Sequence, residues 1–441
     1  MRASLGTNDV PSTITKEEAT VSIETFGCSA NHADSELLRH HAAAAGYRLV
    51  DGTGEVVILN TCTVKGPTQT AIEKRIQLLE NEGKKVVVAG CLSQASPENP
   101  LFRGKSLLGP DTVDQVSEAL SATLNSSPIQ ITKRSKSPLP LLPPSKNSDA
   151  NSPFILSVSQ GCLSSCSFCM TKLARGNLRS HTVRHLRDVT RTAIEMGHKE
   201  VYLTSQDTSA YGFDIGVTLV DLLAALIEIK GEFKIRIGMA NPQHFKLFLK
   251  ELWPLFQSDK LYRFLHVPLQ SGSNTVLDHM RREHSAEDYL SIVGEGRSLY
   301  PDLTIATDII CGYPTETGED HQLTLAALRR SMPDAVNISR FWPRPKTRAE
   351  RLPELPGSLV KGRSKEVTEL FRRLSRARNR SWLGWQGSVF ITEEANARTP
   401  RCVGRNYSYK QVLLPKGTVA RKGETVAGKI VDYGNFDLRS E

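Results

Sequence analysis

From Val21 onward, short apolar and β-branched runs alternate with stretches whose apolar residues recur every three to four positions. VSIETF precedes DSELLRHHAAAAG, VVILN precedes PTQTAIEKRIQLLENEG, and VVVAG precedes a last helical stretch near DTVDQVSEALSATL. Strands that alternate with amphipathic helices predict an α/β layer on a parallel sheet. Residues 126–152, rich in Ser, Pro and Lys, carry neither period and predict a linker. Alternation then resumes: FILSVS, a helix from about Val183 to Met196, EVYLTS, a helix from Leu219, KIRIGMA, a helix from His244, RFLHVPL, helices after Asn274 and Ser285, LTIATDII, a helix from Glu319, and AVNIS. Some six such βα units predict a barrel or partial barrel with its active site at the carboxyl ends of the strands. An Arg-rich helix from Lys361 to Trp385 leads into GSVFITE, KQVLLP and ETVAGKIVDY, the spacing of a small β-barrel.

The chain of 441 residues fits two to four domains of ordinary size. Its 39% hydrophobic and 23% charged residues exclude a disordered or fibrous chain. The net charge of +9 favours an anionic partner, and its position sharpens this: Lys361 to Glu441 holds 17 basic against 8 acidic residues, the whole excess. No run of 18 apolar residues occurs and the first twenty lack the apolar core of a signal peptide, so a soluble, cytoplasmic protein with no membrane partner is expected.

Eight cysteines are too few for a disulfide scaffold in a chain of this length, and in a cytosolic protein clusters of them point to metal or redox work. Cys28, Cys62 and Cys91 each fall just after a predicted strand, and ligands gather where parallel strands end. Three unrelated buried thiols are the plain alternative. Cys162, Cys166 and Cys169 form C-x3-C-x2-C on one loop. A 4Fe–4S cluster usually takes four thiolates, so three leave one iron open to bind substrate. A structural zinc site, the competing reading, wants a fourth ligand and a second pair downstream, which the chain lacks.

That loop, GCLSSCSFCMTKLARGNLRS, resembles the radical S-adenosylmethionine (SAM) superfamily, and its company narrows the likeness. ETFGCSANHADSE, NTCTVK, VVAGCLSQ, TSQDTSAYG, LHVPLQSGS and TDIICGYPTET, in this order around it, are similar to the methylthiotransferase family over nearly the whole chain. NTCTVKGPTQ, TSQDTSAYG and VNISRFWPRPKT resemble its archaeal and eukaryotic branch, which acts on N6-threonylcarbamoyladenosine in tRNA. The resemblance implies a fold of three parts: an N-terminal methylthiotransferase domain at 20–125, then, past the linker at 126–152, a radical SAM partial barrel at 153–380 and a small β-barrel of the TRAM type, RNA-binding, at 381–441. It implies two 4Fe–4S clusters, an auxiliary one on Cys28, Cys62 and Cys91 and a radical one on Cys162, Cys166 and Cys169, and SAM as cofactor. One SAM gives a methyl group; a second gives the 5′-deoxyadenosyl radical that takes hydrogen from C2 of adenosine, where the methylthio group enters. The partners implied are tRNA carrying threonylcarbamoyladenosine, an electron donor protein and a sulfur donor. Phe26 stands where the family usually has Tyr, and the linker is long.

Phe168, beside the last loop cysteine, and Gln206, Asp207, Gln270 and Asp308, at predicted strand ends, are the candidates to bind SAM or orient substrate; turn chemistry is the alternative for the polar four. Gly312 and Pro314 are expected to shape a loop at the cofactor, with a plain Gly-Tyr-Pro turn as the alternative. In the tail, Arg405, Lys410, Arg421 and Lys422 are candidates to meet RNA phosphates, with Tyr407 and Tyr409 to stack or pack. Cys311 and Cys402 match no ligand position and are expected to be ordinary thiols. Two other readings stay open: the same chemistry on isopentenyladenosine tRNA or a ribosomal-protein aspartate, and a non-catalytic iron–sulfur RNA-binding sensor.

Overall fold

The structure, a computed structural model, describes residues 19–63, 66–138, 140–144, 149–396 and 399–441. Positions 139 and 145–148 of the linker, and Val64 and Lys65 of NTCTVK, lie outside the described residues. The chain divides into two compact units, Met1–Ser135 and Lys136–Glu441.

The first unit is a six-stranded sheet of β1 (Thr20–Thr25), β2 (Arg48–Leu49), β3 (Val56–Thr61), β4 (Lys85–Gly90), β5 (Ser106–Leu108) and β6 (Gln130–Ile131) in the order β2-β1-β3-β4-β5-β6. All its pairings are parallel. A parallel sheet covered by helices on both faces needs continuously apolar central strands. The VVILN run supplies one: Val56, Val57, Ile58 and Leu59 are fully buried. Helices Ser29–Ala44, Gly66–Asn81 and Val116–Leu124 provide the cover.

The second unit begins with β7 (Phe154–Ser157) and the short antiparallel pair β8 (Ser159–Gln160) and β9 (Arg179–Ser180), which brackets the cysteine loop. Then come β10 (Glu200–Thr204), β11 (Lys234–Arg236), β12 (Phe264–His266), β13 (Thr304–Cys311) and β14 (Ala335–Arg340). They form two parallel sheets, β11-β10-β7 and β12-β13-β14, joined by parallel bridges Ile235 to Leu261 and Met239 to His266. The result is the six-stranded partial barrel that the alternation predicted. Strand side chains point alternately to opposite faces. On one face Val201, Leu203, Ile235, Leu265, Ile305 and Ile309 are buried in the main core. On the other, Tyr202, Arg236, His266 and Asp308 are only partly covered, so a polar, solvent-reached interior runs toward the strand ends.

The helix Gly357–Arg380 leads to a closed barrel of β15 (Gln386–Glu393), β16 (Val403–Arg405), β17 (Gln411–Leu413), β18 (Thr425–Tyr433) and β19 (Leu438–Ser440), ordered β15-β16-β17-β19-β18. β15, β17 and β18 fall on the runs GSVFITE, KQVLLP and ETVAGKIVDY, whereas β16 and β19 lie outside them.

The turn between β16 and β17 docks against the starts of the partial-barrel strands. Tyr409 packs its ring 4.9 Å from Tyr262 and 5.0 Å from Phe264, and its hydroxyl lies 2.8 Å from that of Tyr202. Tyr407 packs against Trp382 and Trp385, with the Arg263 guanidinium 5.2 Å from its ring. Lys410 is 6% exposed and reaches Asp334 and Asn379, each at 2.7 Å. This corrects the expectation that Lys410 meets phosphate: the turn folds inward, and its cation is consumed by a buried carboxylate. Asp334 also receives Arg297 at 2.9 Å and Arg378 at 3.2 Å. Burial alone would raise its carboxyl, but Lys410, Arg378 and Arg297 outweigh that and hold it at about 2. Lys410 is pushed down by the same burial, against the pull of Asp334. Three cations share one anion here, so the carboxylate is oversupplied and each cation undersupplied. Among the described residues no helix is long and apolar enough to cross a membrane.

Candidate iron–sulfur and SAM site

Cys28, Cys62 and Cys91 follow β1, β3 and β4, three adjacent strands whose register sets Thr25 beside Asn60 and Thr61 beside Gly90. That register brings residues distant in sequence to one edge of the sheet. Gly27, at φ +130°, lets the chain come close: a Cβ there would stand 2.9 Å from Cys62 Sγ. Around the cysteines lies a neutral web. Asn60, fully buried, donates to Asn31 O at 2.7 Å and Ser35 Oγ at 2.9 Å; Asn31 donates to Thr61 O at 2.9 Å; the Cys28 thiol donates to Asn31 Oδ1 at 3.5 Å. Cys62 and Cys91 are buried and Cys28 is exposed.

In the second unit the cysteine loop leaves β8 through Gly161, at φ +80°, where a Cβ would overlap the Asn177 carbonyl oxygen at 1.8 Å. Ser167, between two of the cysteines, pins the loop. Its amide donates to Met280 O at 3.0 Å, and its hydroxyl lies 3.0 Å from His279 O and 2.9 Å from Tyr313 Oη. Phe168 packs with Val276, Met280 and Tyr313. It thus supports the loop from the apolar side.

Burial, with Asp207 and the other two cysteines adding, pushes the Cys162 thiol up to about 12. Cys166 is also raised by burial, with Arg282 opposing. Arg282 Nη1 donates to Cys166 Sγ at 3.4 Å, and its Nη2 donates to Asn241 Oδ1. Asn241 in turn donates to Asp207 from its side chain at 2.8 Å and its backbone at 3.0 Å, and His244 Nδ1 lies 2.8 Å from the same carboxylate. Burial raises the Asp207 carboxyl, but His244, Ser209 and the Asn241 amide outweigh it and hold it below the ordinary range. A carboxylate, an amide and a guanidinium therefore run in line to the loop. Asn241, His244, Arg282 and Tyr313 carried no signal in sequence; strands and helices distant along the chain deliver them.

The donor set fits an iron–sulfur cluster. Three thiols share one half-buried loop, where bound positive charge would add to Arg282 in favouring thiolates. Among the described residues, Gln243 Oε1 and Arg282 Nε beside it are buried with no hydrogen-bond partner, while Gln243 Nε2 holds Ser164 of the loop at 2.6 Å. Among the described residues no three His, Cys, Asp or Glu side chains already stand at metal-holding spacing. The fit rests on the donors and their surroundings.

The other candidates divide. Gln206 Oε1 accepts from the Gly161 amide at 2.7 Å and so positions the loop's entry. Asp207, 1% exposed, is a framing carboxylate out of a ligand's reach, which corrects its reading as a direct contact. Asp308 faces the barrel interior, 2.9 Å from His266 Nε2 and 2.7 Å from Asn337 Nδ2. Gln270, at φ +69°, continues its strand beside Asp308 by backbone bonds. Gly312 donates to Glu316 at 2.7 Å, a carboxylate that the buried Arg363 also holds, and Pro314 lies buried in the same turn. Arg405 covers the Tyr409 ring at 4.6 Å, and Lys422 reaches Asp149 at 3.0 Å and Ser152 at 2.6 Å, so of the four tail cations only Arg421 is fully exposed. Cys311 lies in the main core and Cys402 in that of the closed barrel.

Residues 20–106 match the family described as uncharacterized protein family UPF0004, and 156–328 match the radical SAM superfamily. A probable threonylcarbamoyladenosine tRNA methylthiotransferase of Pyrococcus horikoshii is 38% identical over 424 residues, 96% of this chain and 99% of that protein. A protein of the same description from Archaeoglobus fulgidus is 40% identical over 413 residues, 93% and 96% of the two chains. The chain belongs to the threonylcarbamoyladenosine tRNA methylthiotransferase family. The human threonylcarbamoyladenosine tRNA methylthiotransferase is 34% identical over 430 residues, 95% of this chain and 73% of its own. Among solved structures, the radical SAM methyltransferase TsrM of Kitasatospora setae shares the fold, with a TM-score of 0.55 at 13% identity over 75% of each chain. Membership of the family and of the radical SAM superfamily makes the chain a transferase whose chemistry calls for an iron–sulfur cluster and SAM.

Proposed function

We propose that this protein methylthiolates C2 of N6-threonylcarbamoyladenosine at position 37 of tRNA, with SAM both as methyl donor and as radical source. The observation that carries the reading is similarity at 34–40% identity, over more than nine-tenths of the chain, to proteins named for this reaction. We assign a radical 4Fe–4S cluster to Cys162, Cys166 and Cys169 and an auxiliary one to Cys28, Cys62 and Cys91.

The hydrogen to be replaced sits on an aromatic carbon that no side-chain acid or base activates, so a cofactor must carry the step and the protein must position it. When bound, the clusters and SAM supply the electron, the radical and the sulfur. The chain's own residues hold and orient. Arg282, fixed by Asn241 and Asp207, sets the charge beside Cys166. Gln206 holds the loop's entry. Asp308, with His266 and Gln270 near it, offers polar contacts inside the barrel. Residues 381–441 act as a TRAM-type RNA-binding module, with the exposed Arg421 as its phosphate contact. An electron donor protein and a sulfur donor complete the system.

The test is an anaerobic incubation of cluster-loaded protein with SAM, a strong reductant and tRNA carrying threonylcarbamoyladenosine, then mass spectrometry of the nucleosides. A methylthio-threonylcarbamoyladenosine peak that needs every component is expected. 5′-Deoxyadenosine without that nucleoside would overturn the substrate, and neither product would overturn the enzyme.

A further inference from the structure

The helix Gly318–Ser331, between β13 and β14, and the helix Gly357–Arg380 pack side by side on the outside of the partial barrel. Both run from the strand-end side toward the closed barrel: early in the second, Arg363 holds Glu316 at 2.7 Å, and near its end Arg378 holds Asp334 at 3.2 Å. His321 Nε2 lies 3.1 Å from Glu366 Oε2 and sets their register. Residues seven or eight positions on share a helix stripe. Arg329, eight past His321, and Arg373, seven past Glu366, therefore stand at one height on facing edges. Arg330 adjoins the first, and Arg372, Arg376 and Arg380, four apart, share a face with the second.

A solvated face ordinarily mixes both signs, and a helix C-terminus favours cations through its last turn only. Neither accounts for this patch. In the first half of the long helix cations meet acids, Lys365 with Glu369 at 3.7 Å and Arg363 with Glu316. Between Glu369 and Glu393, and between Asp320 and Asp334, the chain has no acidic residue. Arg329, Arg330, Arg372, Arg373 and Arg380 are exposed, and their side chains make no ion pair or hydrogen bond among the described residues. Arg372 and Arg373 lie about two turns before the helix ends, beyond the reach of its dipole. On the closed barrel, where Arg376 stands 4.8 Å from the Tyr433 ring, the neighbouring carboxylates Asp432 and Asp437 are held by Arg439 at 2.6 and 3.2 Å. An aromatic ring completes the patch: Phe436 is 59% exposed, its ring 5.8 Å from that of Phe371, the residue before Arg372. A bare phenylalanine beside unpaired guanidiniums suits a nucleic acid, whose phosphates take the charge and whose bases take the ring.

We propose that Arg329, Arg330, Arg372, Arg373 and Arg380 bind the phosphate backbone of the tRNA, with Phe436 as a platform for an unstacked base. Cations on phosphates supply affinity and orientation without reading sequence. The inference rests on tRNA being the substrate. It carries the RNA surface from the closed barrel onto the flank of the radical domain, at the opposite end of the strands from the cysteine loop, so the grip leaves the reacting atoms alone.

The test uses the cluster-loaded, full-length protein, with tRNA binding measured by fluorescence anisotropy over a range of salt. Arg372→Gln, Arg373→Gln and Arg380→Gln together remove three exposed, unpaired charges. The melting temperature should hold, while tRNA binding weakens and the slope of log Kd against log salt falls by about two to three. Arg329→Gln with Arg330→Gln should lower the slope by about one to two. Phe436→Ala should weaken binding by about 5- to 100-fold without moving the slope. Arg184→Gln, Arg187→Gln and Arg191→Gln, an equal charge loss on the exposed face of the helix Val183–Glu195, should leave the slope unchanged. A wild-type slope in the Arg372, Arg373 and Arg380 variant would overturn the proposal, and an equal fall in the Arg184, Arg187 and Arg191 variant would reduce it to net charge. Normal tRNA binding with slowed reduction by the electron donor would also overturn it, making the patch a protein-docking site. If the variants respond as stated but the wild-type protein makes no methylthio nucleoside, the reaction falls and the patch stands; the nucleoside with a wild-type slope in the triple variant is the reverse.

Discussion

The cysteines of the second unit share one loop, whereas those of the first come from three strands, and the two sets are held by different means. The loop trio is framed by charge: Asp207, Asn241 and Arg282 run in line to Cys166. The sheet trio is framed by neutral amides and hydroxyls of Asn31, Asn60 and Ser35. A loop that carries all three of its thiols still needs an outside scaffold to fix them. A sheet fixes its strand ends by register, and neutral bonds then suffice to tie them.

The strongest way to break the comparison is to remove one thiol from each set. Cys166→Ala should abolish 5′-deoxyadenosine formation while tRNA binding persists, and Cys62→Ala should keep that formation but lose sulfur insertion. Product analysis by mass spectrometry reads both; full methylthiolation by the Cys62 variant would take the sheet trio out of the mechanism. The frames come next. Arg282→Gln should lower activity by about 10- to 100-fold, as loss of an outer-sphere partner commonly does, with iron content reporting cluster retention. Asn60→Ala should cost about 1–3 kcal/mol through the polar groups it strands, read as a lower melting temperature of the first unit.

Acid should separate the units themselves. Asp334 is held at about 2 against an ordinary 3.8, so its contribution is complete above about pH 4 and is lost as pH falls through about 2. The loss is on the order of 2 kcal/mol. Hydrogen exchange between pH 4 and 2 should show residues 136–441 loosening along β14 and the closed barrel through this group, and Asp334→Asn should remove that dependence at a cost of about 3–5 kcal/mol. The smallest effect is expected at the two remaining cysteines. Cys311→Ala and Cys402→Ala should each cost about 1 kcal/mol and leave iron content unchanged.

The tail teaches the limit of reading composition. A surplus of cations there was visible in sequence, and Arg421 is exposed as a phosphate contact must be. Lys410, Tyr407 and Tyr409 looked equivalent along the chain, yet the turn that carries them packs onto Tyr202, Tyr262 and Asp334. Asp207 looked like a strand-end ligand and proved to be a buried frame. In both places the deciding partner lies far away in sequence, so no local pattern contained it.

Periodicity alone pointed to the parallel layer through β1, β3 and β4 and to the partial barrel, because apolar spacing records which face of each element is buried; β6 lies inside the stretch read as a linker. Cysteine spacing marked the loop that bears C-x3-C-x2-C, because those thiols travel together on one short segment. Only the tertiary structure decided that Thr25, Asn60, Thr61 and Gly90 stand in register, that Arg282 reaches Cys166, and that Lys410 is spent on Asp334. Strand register and buried charge pairing join residues through space, and their energies depend on distances that the linear chain does not encode one residue at a time.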